Sequence, residues 1–507
     1  MRIIIVLSVN ISYHIFIYKN KSHYIGSQFH GVLIISIVRN MFSLVELFII
    51  VLISLVIATL LYFRSAHSYW KKRNVNYIEP TFPWGNLENP LFLKRGVIGI
   101  VQDAYKQFKS KQKRFGGIYF FHKPMLIPVD LQLIKNILTK DFSHFVNHGS
   151  LSDEENEPMT ANLFNAEDDK WRNLRTKLTP TFTSAKMKLM FSMIEKCSYQ
   201  MIDHIRFSCL QKKPLHVKEI VSCYTTDVIG SCVFGLDCNS FKNPDAEFRK
   251  YGKKATEISV IGSLRLFILF IMPEINRILR IRLLDKDVSD FFTRAFKDVL
   301  NSRKIEDTAR KDFVQLLLEM SPGHVEASKS LTVDEMVAQA FVFFIAGFDT
   351  SASNLAFCLY ELAMHQTYQD RLRQEILEVL GRHDQQLTYE AIAEMKYMDQ
   401  VIDETLRFFP PLPFLSRKCS KNYPIPNSDL IVEQGSTVVI SVLGLHMDEE
   451  YYPNPEVFDP DRFSKENKAK RSQYVHIPFG EGPRICIGEL FVKFLHYKCT
   501  IGTCLLY

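Results

Sequence analysis

A cysteine ringed by glycines is the part of this sequence best equipped for chemistry. Residues 478–488 read PFGEGPRICIG, with Gly480, Gly482, Pro483 and Gly488 around Cys486 and an apolar run from Leu490 to Leu495 behind it. Glycines permit unusual backbone angles and the close approach of a flat ligand. A cysteine entering a helix amino terminus has its thiolate favoured by free N–H groups and the helix dipole. Arg484, two residues before the sulfur, can point at an anion on the same ligand. A nucleophilic cysteine would also suit this place, but no His lies in a recognisable partner motif.

Three further groups stand out by type and spacing. Gly347, Asp349, Thr350 and Ser351 interrupt the apolar segment AFVFFIAGFDTSASNLAFCLYELAMH. They are poor helix-interior residues, and the lost propensity points to a local opening around a ligand or to a polar kink facing a buried water. Glu404 and Arg407 lie three apart, on one helix face, where they read equally as a surface ion pair. Lys170, Arg172, Lys177, Lys186 and Lys188 cluster around Trp171, as a docking face for an acidic partner or as a plain solvated helix face.

The elements that must position these residues can be read coarsely. Thr332 and Glu335 form a capping box that opens a long helix reaching His365, apolar on all sides from Phe341 to Ala346 and so expected to cross the interior. A second helix is expected over 390–409, ending before Pro410-Pro411. Short strands are expected at 117–121 and 437–442. The fold class is mainly α with small β-sheets. Residues 44–63, broken only by Glu46 and followed by Arg64, Trp70, Lys71, Lys72 and Arg73, are long and apolar enough for a transmembrane anchor. A cleaved signal peptide competes, without an obvious cleavage site. Residues 1–40 are expected to be an extension absent from the working protein, with Met41 as a natural start. Residues 74–90, with Pro80, Pro83, Gly85, Asn86 and Pro90, are expected to act as a hinge, and 91–488 as one large domain.

Composition narrows the function classes. A net charge of +7 without a block of five or six like charges gives nucleic-acid binding little support. Ten cysteines in 507 residues, with no Cys-x-x-Cys pair, disfavour zinc ribbons and a disulfide scaffold. Most, such as Cys223, Cys232 and Cys358, are expected in the core, and a reducing compartment follows. The 39 phenylalanines suit either a lined apolar cavity or a Phe-rich core.

With these residues in view, the chain resembles the cytochrome P450 family. Phe479-x-x-Gly482-x-Arg484-x-Cys486-x-Gly488 matches that family's haem-binding loop. Ala346-Gly347-Phe348-Asp349-Thr350 looks like its oxygen-groove motif, Glu404-Thr405-Leu406-Arg407 like its Glu-x-x-Arg, and Pro460-Asp461-Arg462-Phe463 like the segment completing a structural Glu-Arg-Arg cluster. Trp171-x-x-x-Arg175 resembles the motif that meets a haem propionate. Tyr69-Trp70-Lys71-Lys72-Arg73, Lys177-Leu178-Thr179-Pro180-Thr181-Phe182 and His446-Met447-Asp448 look most like insect family-six enzymes of xenobiotic metabolism.

The resemblance implies a membrane-anchored haem-thiolate monooxygenase of the endoplasmic reticulum, its catalytic domain facing the cytosol. Haem b would take Cys486 as axial ligand. Trp171, Arg175, Arg417 and Arg484 would hold its propionates, with His148 a weaker candidate. Gly347 would leave room for dioxygen, Thr350 would hold an oxygen or water, Asp349 would feed protons, and Phe479 would flank the haem. Glu404, Arg407 and Arg462 would be structural. Electrons would come from NADPH through cytochrome P450 reductase, with cytochrome b5 as a second partner, and substrates would be lipophilic, contacted near Phe145–Phe164 and 258–273. That second stretch reads either as a membrane-dipping segment or as a buried helix. After Gly488 the resemblance fails: the chain reads Glu489-Leu490-Phe491-Val492-Lys493 and lacks the family's closing hairpin. Residues 489–507 are therefore expected as a divergent, truncated end, which keeps an inactive, truncated or mis-spliced product as the alternative. A peroxide-rearranging haem-thiolate enzyme is disfavoured by Asp349-Thr350.

Overall fold

The computed structural model describes residues 27–87, 96–150, 152–257, 260–271, 276, 278–306, 312–321 and 330–505. Two units follow from the chain's contacts, 1–66 and 67–507. The first is helix α1 (Ser27–Ala66), in which Val45–Ala66 is long and apolar enough to cross a membrane and has its most apolar window unburied. That span overlaps the expected anchor. Most of the expected extension, residues 1–26, lies outside the described residues.

The second unit is mostly helical. Its amino-terminal part packs helix α2 (Val97–Ser110) on a sheet begun by the hairpin β1 (Phe115–Phe120) and β2 (Lys123–Pro128). Ile100, Val101, Ala104, Tyr105 and Phe108 recur on one face of α2 and bury it against the sheet. Then come helices α3 (Asp168–Leu178), α4 (Ser184–Leu210), α5 (Val217–Val233), α6 (Glu247–Thr256), α7 (Lys286–Glu306), α8 (Val333–Met364), α9 (Gln366–Arg382) and α10 (Lys396–Phe408). After them the chain returns to strands: β3 (Phe414–Lys418), the pair β4 (Tyr423–Pro424) and β5 (Ile431–Val432), and β6 (Thr437–Ser441). The larger sheet has the order β1-β2-β6-β3, with β6 parallel to β2 and antiparallel to β3. Helix α11 (Glu489–Cys504) closes the described chain.

Helix α8 is the axis of this unit. The Thr332 hydroxyl accepts from the Glu335 N–H and the Glu335 carboxylate accepts from the Thr332 N–H, so the capping box fixes its start. Its 32 residues make it about 48 Å long at about 1.5 Å per residue. Phe344 and Phe348 of α8 stack on each other, and Phe344 meets Phe248 of α6 and Phe292 of α7 at 5.2 and 4.8 Å between ring centres. Much of the Phe content therefore fills core, each fully buried ring contributing on the order of 2 kcal/mol.

Four expectations need comment. The helix expected over 390–409 is two helices, Tyr389–Glu394 and α10. The stretch expected as a hinge is, in its described part 74–87, tied to β1. Gly117 N–H donates to the Asn76 carbonyl oxygen, Ile78 N–H donates to the Gly117 carbonyl oxygen, and the Asn86 side chain accepts from the Tyr119 N–H. Residues 88–90 lie outside the described residues. Cys223, Cys232 and Cys358 are buried, and among the described residues no disulfide forms. The divergent end does pack: α11 buries Phe494, Leu495, Cys499 and Ile501 in the same core as α8, and His496 Nε2 lies 2.8 Å from Asn354 Oδ1.

Candidate functional site

The Cys486 loop owes its shape to two glycines in the left-handed region, Gly480 at φ +79° and Gly482 at φ +77°. Gly480 N–H donates to the Ile477 carbonyl oxygen at 3.0 Å, Ile485 N–H to Gly482 at 2.9 Å, and Cys486 N–H to Phe479 at 2.9 Å. These bonds wrap the loop tightly enough to set Cys486 just ahead of α11. At Gly482 a Cβ would run into the backbone carbonyl of Leu138, whereas at Gly480 its nearest neighbour would be Leu415 Cδ1 at 3.9 Å. Gly482→Ala is therefore expected to cost at least about 3 kcal/mol and Gly480→Ala only about 1 kcal/mol of backbone strain. Thermal unfolding of the two variants side by side measures the difference.

Cys486 is exposed by accessible area yet crowded by the surrounding protein. Burial raises its thiol above the usual range, and the Gly488 N–H and Arg175 offset this only in part. The Gly488 N–H at the helix start does favour the thiolate, as the sequence leads one to expect, but desolvation acts against it and is the larger effect.

Around this loop the chain gathers buried cations. Arg484 is buried and donates to four carbonyls, Val146 at 2.9, Leu163 at 3.3, Phe164 at 3.5 and Ala166 at 2.6 Å, with its guanidinium 4.2 Å from the centre of the Trp171 ring. Arg417, on β3, is 1% exposed; it donates to the Ser416 carbonyl, and its Nε has no partner. Burial pulls Arg417 down to about 10 and, with repulsion from Arg417 next, Arg484 down to about 9. Among the described residues neither has a carboxylate in an ion pair. Arg175, on α3, donates to the Ile485 carbonyl at 2.8 Å and lies within electrostatic reach of both Arg484 and Cys486. His148 joins them: its Nδ1 lies 3.2 Å from the Phe164 carbonyl oxygen, and burial, then Arg417 and Arg484, hold it well below the usual imidazole range.

A buried, unpaired guanidinium costs several kcal/mol unless an anion offsets it. The Arg417 and Arg484 pair, with the orphaned Arg417 Nε, fits a ligand carrying carboxylates beside the Cys486 sulfur. These residues therefore fit haem, whose two propionates and iron would match the guanidiniums and the thiol.

The expected oxygen-groove residues sit mid-way along α8. Ala346 is exposed there while Gly347 and Phe348 are buried. Thr350 donates its hydroxyl hydrogen to the Ala346 carbonyl oxygen. Asp349 is exposed and pairs with Lys218 of α5 at 2.8 Å, and Lys218 also reaches the Ser353 hydroxyl at 2.5 Å. Gly347 faces α5: a Cβ would come within 2.5 Å of Ile229 Cδ1. Ala346, the residue before it, is the exposed one at this point of α8.

Behind the loop, Glu404 and Arg407 form a fully buried two-pronged pair at 2.6 and 2.8 Å, with Arg462 Nε 3.5 Å from the Glu404 carboxylate. The three expected structural residues are thus brought together. Phe479 packs partly buried against the main core. On the expected basic face, Lys170 pairs with Glu154, Arg172 with Asp169 and Lys188 with Glu390, all at the exposed surface, and Lys177 donates to the Ser330 carbonyl. Of the stretch 258–273, Val260–Ile271 is helical, and 258–259 and 272–273 lie outside the described residues. Sequence reading missed Lys218 and gave His446 no role of its own; neither sits near its partner in sequence.

The family model described as Cytochrome P450 matches residues 80–505, so the likeness runs past Gly488 and through α11. The chain is 42% identical over 451 residues to Probable cytochrome P450 6a23 of Drosophila melanogaster, covering 87% of this chain and 89% of that protein. It is 40% identical to Cytochrome P450 6a2 of the same fly, over 88% of this chain and 90% of the relative. With Cytochrome P450 6k1 of Blattella germanica it shares 37% identity, over 87% of each.

Proposed function

The chain belongs to the cytochrome P450 family, with insect family-six proteins among its relatives, and from that premise we propose that Cys486 is the axial ligand of its haem and that Arg417, Arg484, Arg175, His148 and Trp171 hold the propionates. The chain is a haem monooxygenase, an oxidoreductase. Thiolate-ligated haem supplies dioxygen activation and transfer of one oxygen atom to the substrate.

The observation that carries the site assignment is the pair of buried guanidiniums that, among the described residues, have no carboxylate at ion-pair distance, one of them two residues from Cys486. The other roles follow from placement. With its hydrogen given to the Ala346 carbonyl, Thr350 Oγ1 keeps lone pairs for a water in the groove. Asp349 exchanges protons with solvent when its pair with Lys218 opens. Gly347 keeps α8 close to α5, Phe479 walls the loop, and Glu404, Arg407 and Arg462 hold the backbone behind it.

The finer reading is that electrons come from NADPH through cytochrome P450 reductase, with cytochrome b5 as a second donor. Substrates are lipophilic compounds, xenobiotics among them. The span Val45–Ala66 supports anchoring in the endoplasmic reticulum membrane, with residues 67–507 on the cytosolic side.

The test is the reduced, carbon-monoxide-bound difference spectrum of the chain expressed in membranes. A red-shifted Soret band of thiolate ligation is expected; haem bound with the band of a neutral ligand would overturn the assignment of Cys486. The propionate assignment has its own sign. Arg417→Leu removes an uncompensated buried charge, so it should raise the unfolding midpoint of the haem-free chain while accelerating haem loss from the loaded one by about tenfold or more. Haem transfer to a scavenging apoprotein reads the second effect.

A further inference from the structure

The strongest unassigned feature is a buried imidazole that joins two parts of the site. His446 is 0% exposed and ends the short helix Val442–His446. The Ile477 N–H can only donate, and it points at His446 Nε2 at 3.2 Å. Nε2 must therefore be the bare nitrogen, which puts the ring hydrogen on Nδ1, 3.1 Å from the Arg407 carbonyl oxygen. Arg407 returns the contact: its Nη1 donates to the His446 carbonyl oxygen at 2.9 Å. The ring is stacked on His476, whose own Nε2 lies 3.1 Å from the Asp403 carbonyl.

Each end of this bridge matters to the site. Arg407 carries the buried pair with Glu404, and Ile477 is the residue from which the Cys486 loop departs. The Ile477 carbonyl accepts from Gly480, and Phe479, between them, accepts from the Cys486 N–H. Among the described residues no backbone hydrogen bond runs directly from Arg407 to the loop; the His446 imidazole bridges them, beside the neighbouring contact of His476 with the Asp403 carbonyl.

We propose that His446 is a positioning residue for the haem ligand: held in one tautomer, it transmits the fixed frame of the Glu404–Arg407 pair to the Ile477 N–H and so sets the register of the loop that presents Cys486. The inference rests on Cys486 being the ligand. It assigns His446 no contact with haem or substrate.

Two substitutions separate positioning from general packing. His446→Gln places an amide oxygen near the lost Nε2 and can still accept from Ile477. His446→Asn places its amide near the lost Nδ1, keeps a donor for the Arg407 carbonyl, and leaves the Ile477 N–H without a partner. Both create small voids and should lower the unfolding midpoint. The wild-type carbon-monoxide spectrum in membranes tests the Cys486 reading by itself. Measured against it, the Gln variant is expected to keep most of the thiolate band. The Asn variant should keep its haem but shift at least about half of it to the neutral-ligand band, with faster hydrogen exchange in a peptide covering 473–488. Variants that both keep the full band, or that lose it to the same extent, would overturn the role of the Ile477 bond.

Discussion

Cys486→Ala is expected to abolish monooxygenase turnover, lowering it at least about a thousandfold, and to remove the thiolate band from the carbon-monoxide spectrum without unfolding the domain. The geometry gives the reason. The sulfur is enclosed by protein and its thiol is raised by burial, with the Gly488 N–H and Arg175 offering only partial compensation. A group so placed gains little as a free thiol and much as a ligand to a cation, so its removal should spare the fold. The loop itself is held by main-chain bonds at Phe479, Gly482 and Ile477 that the substitution leaves alone. Haem would then be retained weakly through Arg417 and Arg484, and a soluble or membrane extract should show faster haem loss along with lost activity. Cys358→Ala is the control, since that cysteine is buried between α8 and α11 and outside the loop. Turnover surviving in the Cys486 variant would mean that another group ligates the iron.

What could be read without coordinates was local in sequence. The capping box at Thr332, the i,i+3 pair at Glu404 and Arg407, the short strands and the glycine-flanked cysteine each depend on neighbours within a few residues, and each has its counterpart in the structure. The features that the sequence did not announce depend on distant partners. Helix 390–409 breaks because the Glu375 carboxylate, on α9, accepts from the N–H groups of Tyr397 and Met398 and so caps a new start for α10. Nothing between 390 and 409 announces that acceptor. Asp349 meets Lys218 from 131 residues away, and Arg484 finds its carbonyls in 146–166. Residues 489–504 look foreign by motif, yet Phe494, Leu495, Cys499 and Ile501 fill the core beside α8. Burial tolerates a change of residue type where volume and apolar character persist, so motif failure did not mean packing failure. Gly347 shows the converse: its motif was legible, but the neighbour that requires a glycine, Ile229, was not.

Breaking the Glu404–Arg407 pair is expected to cost more stability than any other single change proposed for this chain. Both side chains are 0% exposed. Arg407 also donates to the carbonyls of His446 and Pro455 at 2.9 Å each, while Glu404 accepts from the Asp459 N–H at 2.8 Å. Glu404→Leu leaves the fully buried Arg407 guanidinium and the partly buried Arg462 with no carboxylate between them. Arg407→Leu leaves Glu404 with the Asp459 N–H and, for charge, only the 3.5 Å contact to Arg462, and it strands two backbone carbonyls. Loss of one member of a buried pair costs about 3–5 kcal/mol, against a total stability of about 5–15 kcal/mol for a domain. Each single variant should therefore be recovered mostly as haem-free, aggregated chain at 37 °C. The double variant Glu404→Leu with Arg407→Leu removes both charges of the pair, so its penalty should fall well short of the sum of the singles, by about 2 kcal/mol or more. Arg407→Lys, which keeps the charge but not the planar fork, should fall between wild type and Arg407→Leu. Denaturant unfolding of the four variants in detergent measures the coupling. Additive penalties would show that the two side chains stabilise the meeting of α10 with the 446–462 segment independently, by packing rather than by charge.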